Sequence, residues 1–142
     1  MAFAKEVTPN SANLNSITEA ISNGKSVINI NLRYETVDQD NALKDANALT
    51  LRTRLTYATG NVAGFSSLIE FEDSRTVLGI DDYNNTLGKN TDYSVIADPE
   101  TTELDQFLLQ YKKKSVAIKV GRQLITMDNH RFVGHVGWRQ DR

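Results

Sequence analysis

Arg52 and Arg54 stand two residues apart in a segment that alternates apolar and polar side chains. Arg33 and Glu35 stand two apart in the segment before it. In extended backbone, residues i and i+2 share a face, so each pair projects to one side of its strand. Neighbouring strands lie about 4.8 Å apart, and three guanidiniums in adjacent rows could form a ladder. A guanidinium stays charged and grips carboxylates in a two-pronged geometry. A row of them offers an anionic solute many weak sites in sequence, as a selective passage requires. Glu70 and Glu72 repeat the spacing with opposite charge. The other reading is that Arg33, Arg52 and Arg54 pair with Glu35, Glu70 and Glu72 and neutralise a polar interior. The residues alone leave both open.

Catalytic chemistry finds little footing. His130 and His135 are five apart, which is not the helical spacing of a metal pair, and on a strand they face opposite sides. No serine sits in a nucleophile elbow. Glu70 and Glu72 share a strand face, but surrounding arginines suit ion pairs better than a general acid. The chain has no cysteine, which removes thiol nucleophiles, disulfides and thiolate metal sites. No enzyme activity, catalytic residue, metal or cofactor is expected.

Five segments of alternating polarity carry these side chains: 28–37, 48–59, 64–73, 104–112 and 116–123. In the first, Ile28, Ile30, Leu32 and Tyr34 oppose Asn29, Asn31, Arg33 and Glu35. In the second, Leu49, Leu51, Leu55 and Tyr57 oppose Thr50, Arg52, Arg54 and Thr56. In the third, Phe65, Ile69 and Phe71 oppose Ser66, Glu70 and Glu72. In the fourth, Phe107, Leu109 and Tyr111 oppose Gln106, Gln110 and Lys112, with Leu108 out of pattern. In the fifth, Val116, Ile118 and Val120 oppose Ala117, Lys119 and Gly121. Each is a strand by its period. The links run medium, tight, very long, tight, the long one spanning 74–103 and rich in Asp, Asn, Thr and Gly. Short turns alternating with long loops are the layout of an outer-membrane β-barrel. Tyr34, Tyr57 and Tyr111 fall near strand ends, where an aromatic girdle would stand, although tyrosine is common in strands generally. Before the strands, Ser16-Ile17-Thr18-Glu19 matches a capping box and Gly24 a helix stop, which predicts a helix over 17–22. Leu14, Ile17, Ala20 and Ile21 would share its packing face.

Totals bound the answer. The chain has 142 residues, of which 39% are apolar, and a net charge of −2. No run approaches the roughly 18 apolar residues of a spanning helix. A spanning strand shows lipid only every second side chain, so this composition leaves a barrel open. Acidic residues crowd the links, and the domain lacks the clustered basic face of a nucleic-acid binder. Ala2-Phe3-Ala4 has the small-x-small form that precedes signal cleavage, or arises by chance.

The C-terminal third carries a longer pattern. Gly121-Arg122-Gln123, then Asp128-Asn129-His130-Arg131-Phe132-Val133-Gly134 and Val136-Gly137-Trp138-Arg139-Gln140 resemble a stretch of the alginate-export family of outer-membrane porins. Upstream, Leu32-Arg33-Tyr34-Glu35, Ala46-Asn47-Ala48-Leu49-Thr50-Leu51-Arg52-Thr53-Arg54-Leu55, Gly64-Phe65, Glu70-Phe71-Glu72-Asp73 and Ala97-Asp98-Pro99-Glu100 are similar to that family in the same order. The resemblance implies passive diffusion of small, anionic solutes such as uronic-acid oligosaccharides through the bacterial outer membrane. Arg33, Arg52, Arg54, Arg122, Arg131 and Arg139 match arginine positions of the family's pattern and, with Glu35 and Glu70, are the expected solute path.

The expected architecture is all-β: an antiparallel up-and-down meander of about five strands, part of a larger transmembrane barrel, with a short N-terminal helix. Residues 1–25 would be a signal remnant and periplasmic helix, and 26–142 the N-terminal part of the barrel. Five strands close no barrel, since known ones begin at about eight, so the remaining strands of a full-length barrel would be missing and outer-membrane lipid would cover the apolar face. The alternative is a soluble all-β module that binds a carbohydrate or other ligand and buries that face beneath a second layer.

Overall fold

The structure, a computed structural model, describes residues 13–14, 16–125 and 139–140. It is mostly antiparallel β-sheet with one short helix. In chain order come β1 (Asn13–Leu14), α1 (Ile17–Ser22), β2 (Lys25–Val37), β3 (Ala46–Ala58), β4 (Asn61–Val62), β5 (Phe65–Asp82), β6 (Thr101–Lys113) and β7 (Val116–Arg122). The five long strands form a meander in which β2 pairs with β3, β3 with β5, β5 with β6, and β6 with β7. The two-residue strands β1 and β4 pair in parallel, Asn13 opposite Asn61 and Leu14 opposite Val62; both are too short to leave a periodic signal.

Contacts divide the chain into two compact units, the first built from 1–29, 54–71 and 103–125, the second from 30–53, 72–102 and 126–142. In the first unit, α1 spans the predicted residues. Ser16 caps it, its hydroxyl accepting from the Glu19 amide at 3.1 Å, and the chain leaves through Asn23. The expected packing face is corrected: Ala20 is buried, but Ile17 and Ile21 are exposed. A six-residue helix is held here by polar contacts instead. The Gly60 amide donates to the Ala20 carbonyl at 2.8 Å, and the Tyr57 hydroxyl donates to the Ile21 carbonyl.

The hairpins of this unit follow turn chemistry. Ala63 (φ 52°) and Gly64 (φ 97°) connect β4 to β5, the two positive φ values that a type I′ turn demands. Lys114 (φ 52°) leads the two-residue turn between β6 and β7. Register there runs unbroken from Lys113 opposite Val116 to Phe107 opposite Arg122.

In the second unit, β5 runs nine residues beyond the predicted end of its segment, so the long link shrinks to 83–100. The added stretch lacks apolar alternation and is tied to its surroundings by side chains. Thr102 Oγ1 donates to Asp73 at 2.5 Å, Arg75 Nη2 donates to Thr102 Oγ1 at 3.2 Å, and Thr76 donates from both N and Oγ1 to Glu100 at 3.0 and 2.6 Å. The shortened loop is ordered by its asparagines. The Asn84 side chain accepts from the Thr86 amide, and that of Asn85 from the amides of Leu87 and Lys89, which are the local turns this residue type favours. The small core of this unit is Ala46, Ala48, Tyr83 and Ile96, with Val37 against it.

Candidate functional site: the buried polar face

Alternation sorts each strand into two faces, and burial then ranks them in reverse of a water-soluble sheet. On β2, Ile30 is 66% and Leu32 62% exposed, while Asn29, Asn31, Arg33 and Glu35 are half-buried. On β3, Ala46, Ala48, Thr50, Arg52, Arg54, Thr56 and Ala58 are all buried. On β5, Ser66, Glu70, Glu72 and Ser74 are buried and Phe65 and Phe71 exposed. Arg54 and Glu72 keep only 2% and 3% exposure. Charges are the costliest groups to bury without partners, so the partners decide what this face is.

In the second unit, β2, β3, β5, the 83–100 loop and residues 139–140 converge on one cluster. Arg33 pairs with Glu35 on its own strand and with Asp98 from the loop, at 2.9 Å to the latter. Arg139 reaches Glu35 at 3.3 Å and Asp98 at 3.9 Å. Arg52 lies 3.8 Å from Glu72 and donates to the Gln140 carbonyl at 3.3 Å. Gln140 is fully buried. Its amide donates to Asp98 at 3.1 Å, and its Nε2 lies within 2.9–3.2 Å of Thr50 Oγ1, the Thr50 carbonyl and the Asn31 carbonyl. Tyr83 closes the far side, donating to the Asp98 carbonyl at 2.8 Å. Burial, with Glu100, Asp98 and Asp81 adding to it, pushes the Tyr83 phenol up to about 12, so it stays a neutral donor.

The first unit holds a smaller cluster. Arg54 Nε lies 3.2 Å from Asp105 and 3.7 Å from Glu70. Glu70 also accepts from Thr56 Oγ1 at 2.5 Å and from Gln106 Nε2 at 3.0 Å.

Arg33, Arg52, Arg139 and Glu35 therefore meet in the cluster of the second unit and Arg54 and Glu70 in that of the first, and the arginines are matched by carboxylates. Of the two readings the residues left open, pairing describes the geometry: Arg33 with Glu35, Arg52 with Glu72, Arg54 with Glu70. Arg122 is not brought to this group. It sits opposite Phe107 across the β6–β7 pair, exposed, 3.8 Å from Glu103. Arg131 lies outside the described residues, as do His130 and His135. Sequence reasoning gave no site role to Asp98, Asp105, Thr50 or Gln140, although Thr50 stands on the polar face of its segment and Gln140 in a segment that resembles the porin family. Asp98 was both one of many acidic link residues and part of Ala97-Asp98-Pro99-Glu100, the link segment similar to the porin family, which is the signal that could have found it.

The exposed face carries its own order. In the first unit Tyr57, Phe65 and Tyr111 fall near strand ends, with Phe65 and Tyr111 ring centroids 4.7 Å apart. In the second, Tyr34 is exposed and donates to Asn47 at 3.1 Å.

Comparison with known proteins finds no matching family model, no matching curated protein and no matching solved structure.

Proposed function

We propose that this sheet is part of the wall of an outer-membrane porin that passes small polar solutes by diffusion, anionic ones such as uronic-acid oligosaccharides foremost. The observation that carries the reading is the reversal of polarity: exposed Ile, Leu, Val and Phe on one face, buried Arg, Glu and Thr on the other. Strands with an apolar outer band and a polar inner side are how a β-structure crosses hydrocarbon while lining water. The alternative, a soluble binding module, needs a second layer over the apolar face. Ile28, Ile30, Leu32, Phe71 and Leu109 are exposed, which favours the membrane. The resemblance of the sequence to alginate-export porins points the same way.

Paired arginines shape the solute preference. Arg33 and Arg139 keep 14% and 20% of their side-chain surface, so a carboxylate on a passing sugar shares these guanidiniums with Glu35 and is held weakly, as conduction requires, while the buried Arg52 and Arg54 act on the solute through their charge alone. No covalent chemistry or cofactor is needed.

The absence of cysteine makes the test direct. Single cysteines at 28–33, spin-labelled in vesicles, should alternate: oxygen-accessible at Ile28, Ile30 and Leu32, and accessible to a water-soluble nickel reagent at Asn29, Asn31 and Arg33. Equal exposure of both faces to the nickel reagent ends the membrane reading. For the solute class, Arg52→Ala with Arg54→Ala should lower the anion preference of the conductance in a planar bilayer. Unchanged selectivity removes the role given to these arginines.

A further inference from the structure

Near the β6–β7 turn the exposed apolar face of the first unit is hollowed. Phe65, Leu109, Tyr111, Ile118 and Val120 line a groove of about 260 Å³ with no polar lining. Register explains its course. Leu109 opposes Val120 and Tyr111 opposes Ile118, so the groove follows the seam between the two strands, and the next rung on that face toward the turn is Lys113 opposite Val116. Cross-strand partners share a face, so Lys113 stands on the groove side, and Lys114 follows in the turn. Both are exposed, and neither takes part in the ion pairs found among the described residues. Lys112 and Lys119 project to the other face, opposite Ala117 and Gln110.

An apolar groove capped at one end by two ammonium groups is complementary to a molecule with a hydrocarbon tail and an anionic head. We propose that this seam binds an anionic glycerophospholipid, one acyl chain along Leu109, Ile118 and Val120 and the phosphate at Lys113 and Lys114. Lysine stems lie along apolar surface while their charged ends reach a polar layer, and a tyrosine such as Tyr111 suits the same depth. The attraction of such lysines to anionic lipid is short-ranged and screened by salt. The site rests on the membrane reading above and adds to it a lipid class and a position.

The test is flotation of the full chain with vesicles of phosphatidylcholine alone or of an equimolar mixture with phosphatidylglycerol. The native chain should partition more strongly into the anionic vesicles, by about tenfold or more, with the margin closing in high salt. Lys113→Ala with Lys114→Ala should erase that preference, and Lys112→Ala with Lys119→Ala, an equal charge change on the opposite face, should keep it. Equal loss in the two double variants, or no preference in the native chain, overturns the lipid site while binding to neutral vesicles leaves the membrane reading standing. Failure to bind either vesicle overturns both. A detergent-resistant dimer broken by Leu109→Gln would assign the groove to a second copy instead, and would also overturn it.

Discussion

Arg54 is held between two carboxylates at 3.2 and 3.7 Å with almost no exposure. Removing one member of such a group leaves a buried charge uncompensated. Arg54→Ala is expected to cost about 3–5 kcal/mol, read as a fall in the urea midpoint of the detergent-solubilised protein. A loss under about 1 kcal/mol would show that water already screens the group as it does surface pairs. In the second unit the 83–100 loop carries a titration at its bond to β5. The hydroxyl and amide of Thr76 donate to Glu100 and hold its carboxyl below the usual range. A depressed carboxylate contributes stability that is complete above its unfolded value, about 4.3, and is lost as pH falls through the lower folded value. Protection of the amides in residues 83–100, taken relative to their intrinsic exchange rates, should therefore fall below about pH 4, and Thr76→Val should flatten that dependence. The residues that make the polar face were legible in the sequence because a period of two assigns them one side. Their partners were not: Asp98 comes from a loop and Gln140 from a distant segment, where no period applies, and Asp105 in β6 has the parity that alternation gives to Phe107 and the apolar side.

Among the elements, the strands were read from alternation and the helix from its cap, and both kinds of signal are local. Alternation failed over the second half of β5, where Val77 and Leu78 stand side by side and so fall on opposite faces; there side-chain bonds to Glu100 and Thr102 tie the strand to its surroundings. The hairpins carry two tests. Ala63 adopts φ 52° in its turn, a conformation costing an L-residue roughly 1–2 kcal/mol, so Ala63→Gly should raise stability by up to about 1 kcal/mol in the same urea titration. Gly121 has φ 124°, and a Cβ there would meet the Phe107 carbonyl oxygen at 2.3 Å. Gly121→Ala should separate β7 from β6 at that rung, seen as faster exchange of the amides around Phe107 and Leu109, while the turn at Lys114 stays paired.

For the whole molecule, what matters is that few large apolar side chains are buried among the described residues, where the buried hydrophobics are Ala20, Ala46, Ala48, Ala58, Tyr83, Ile96 and Leu108. A chain so arranged owes little to an oily centre and should melt cooperatively only where something apolar covers its outer side. The polar cluster sets a sequence of events as well. Gln140 bonds to Asn31 and Thr50, 109 and 90 residues earlier in the chain, and contacts of such separation form late. Until Gln140 arrives, the Thr50 side of β3 stays wet and Asp98 lacks one of its donors. Stopped-flow refolding of Gln140→Ala should thus keep the native rate while unfolding quickens. During synthesis the first two long strands would wait, hydrated along that side, for a glutamine made 90 residues after Thr50.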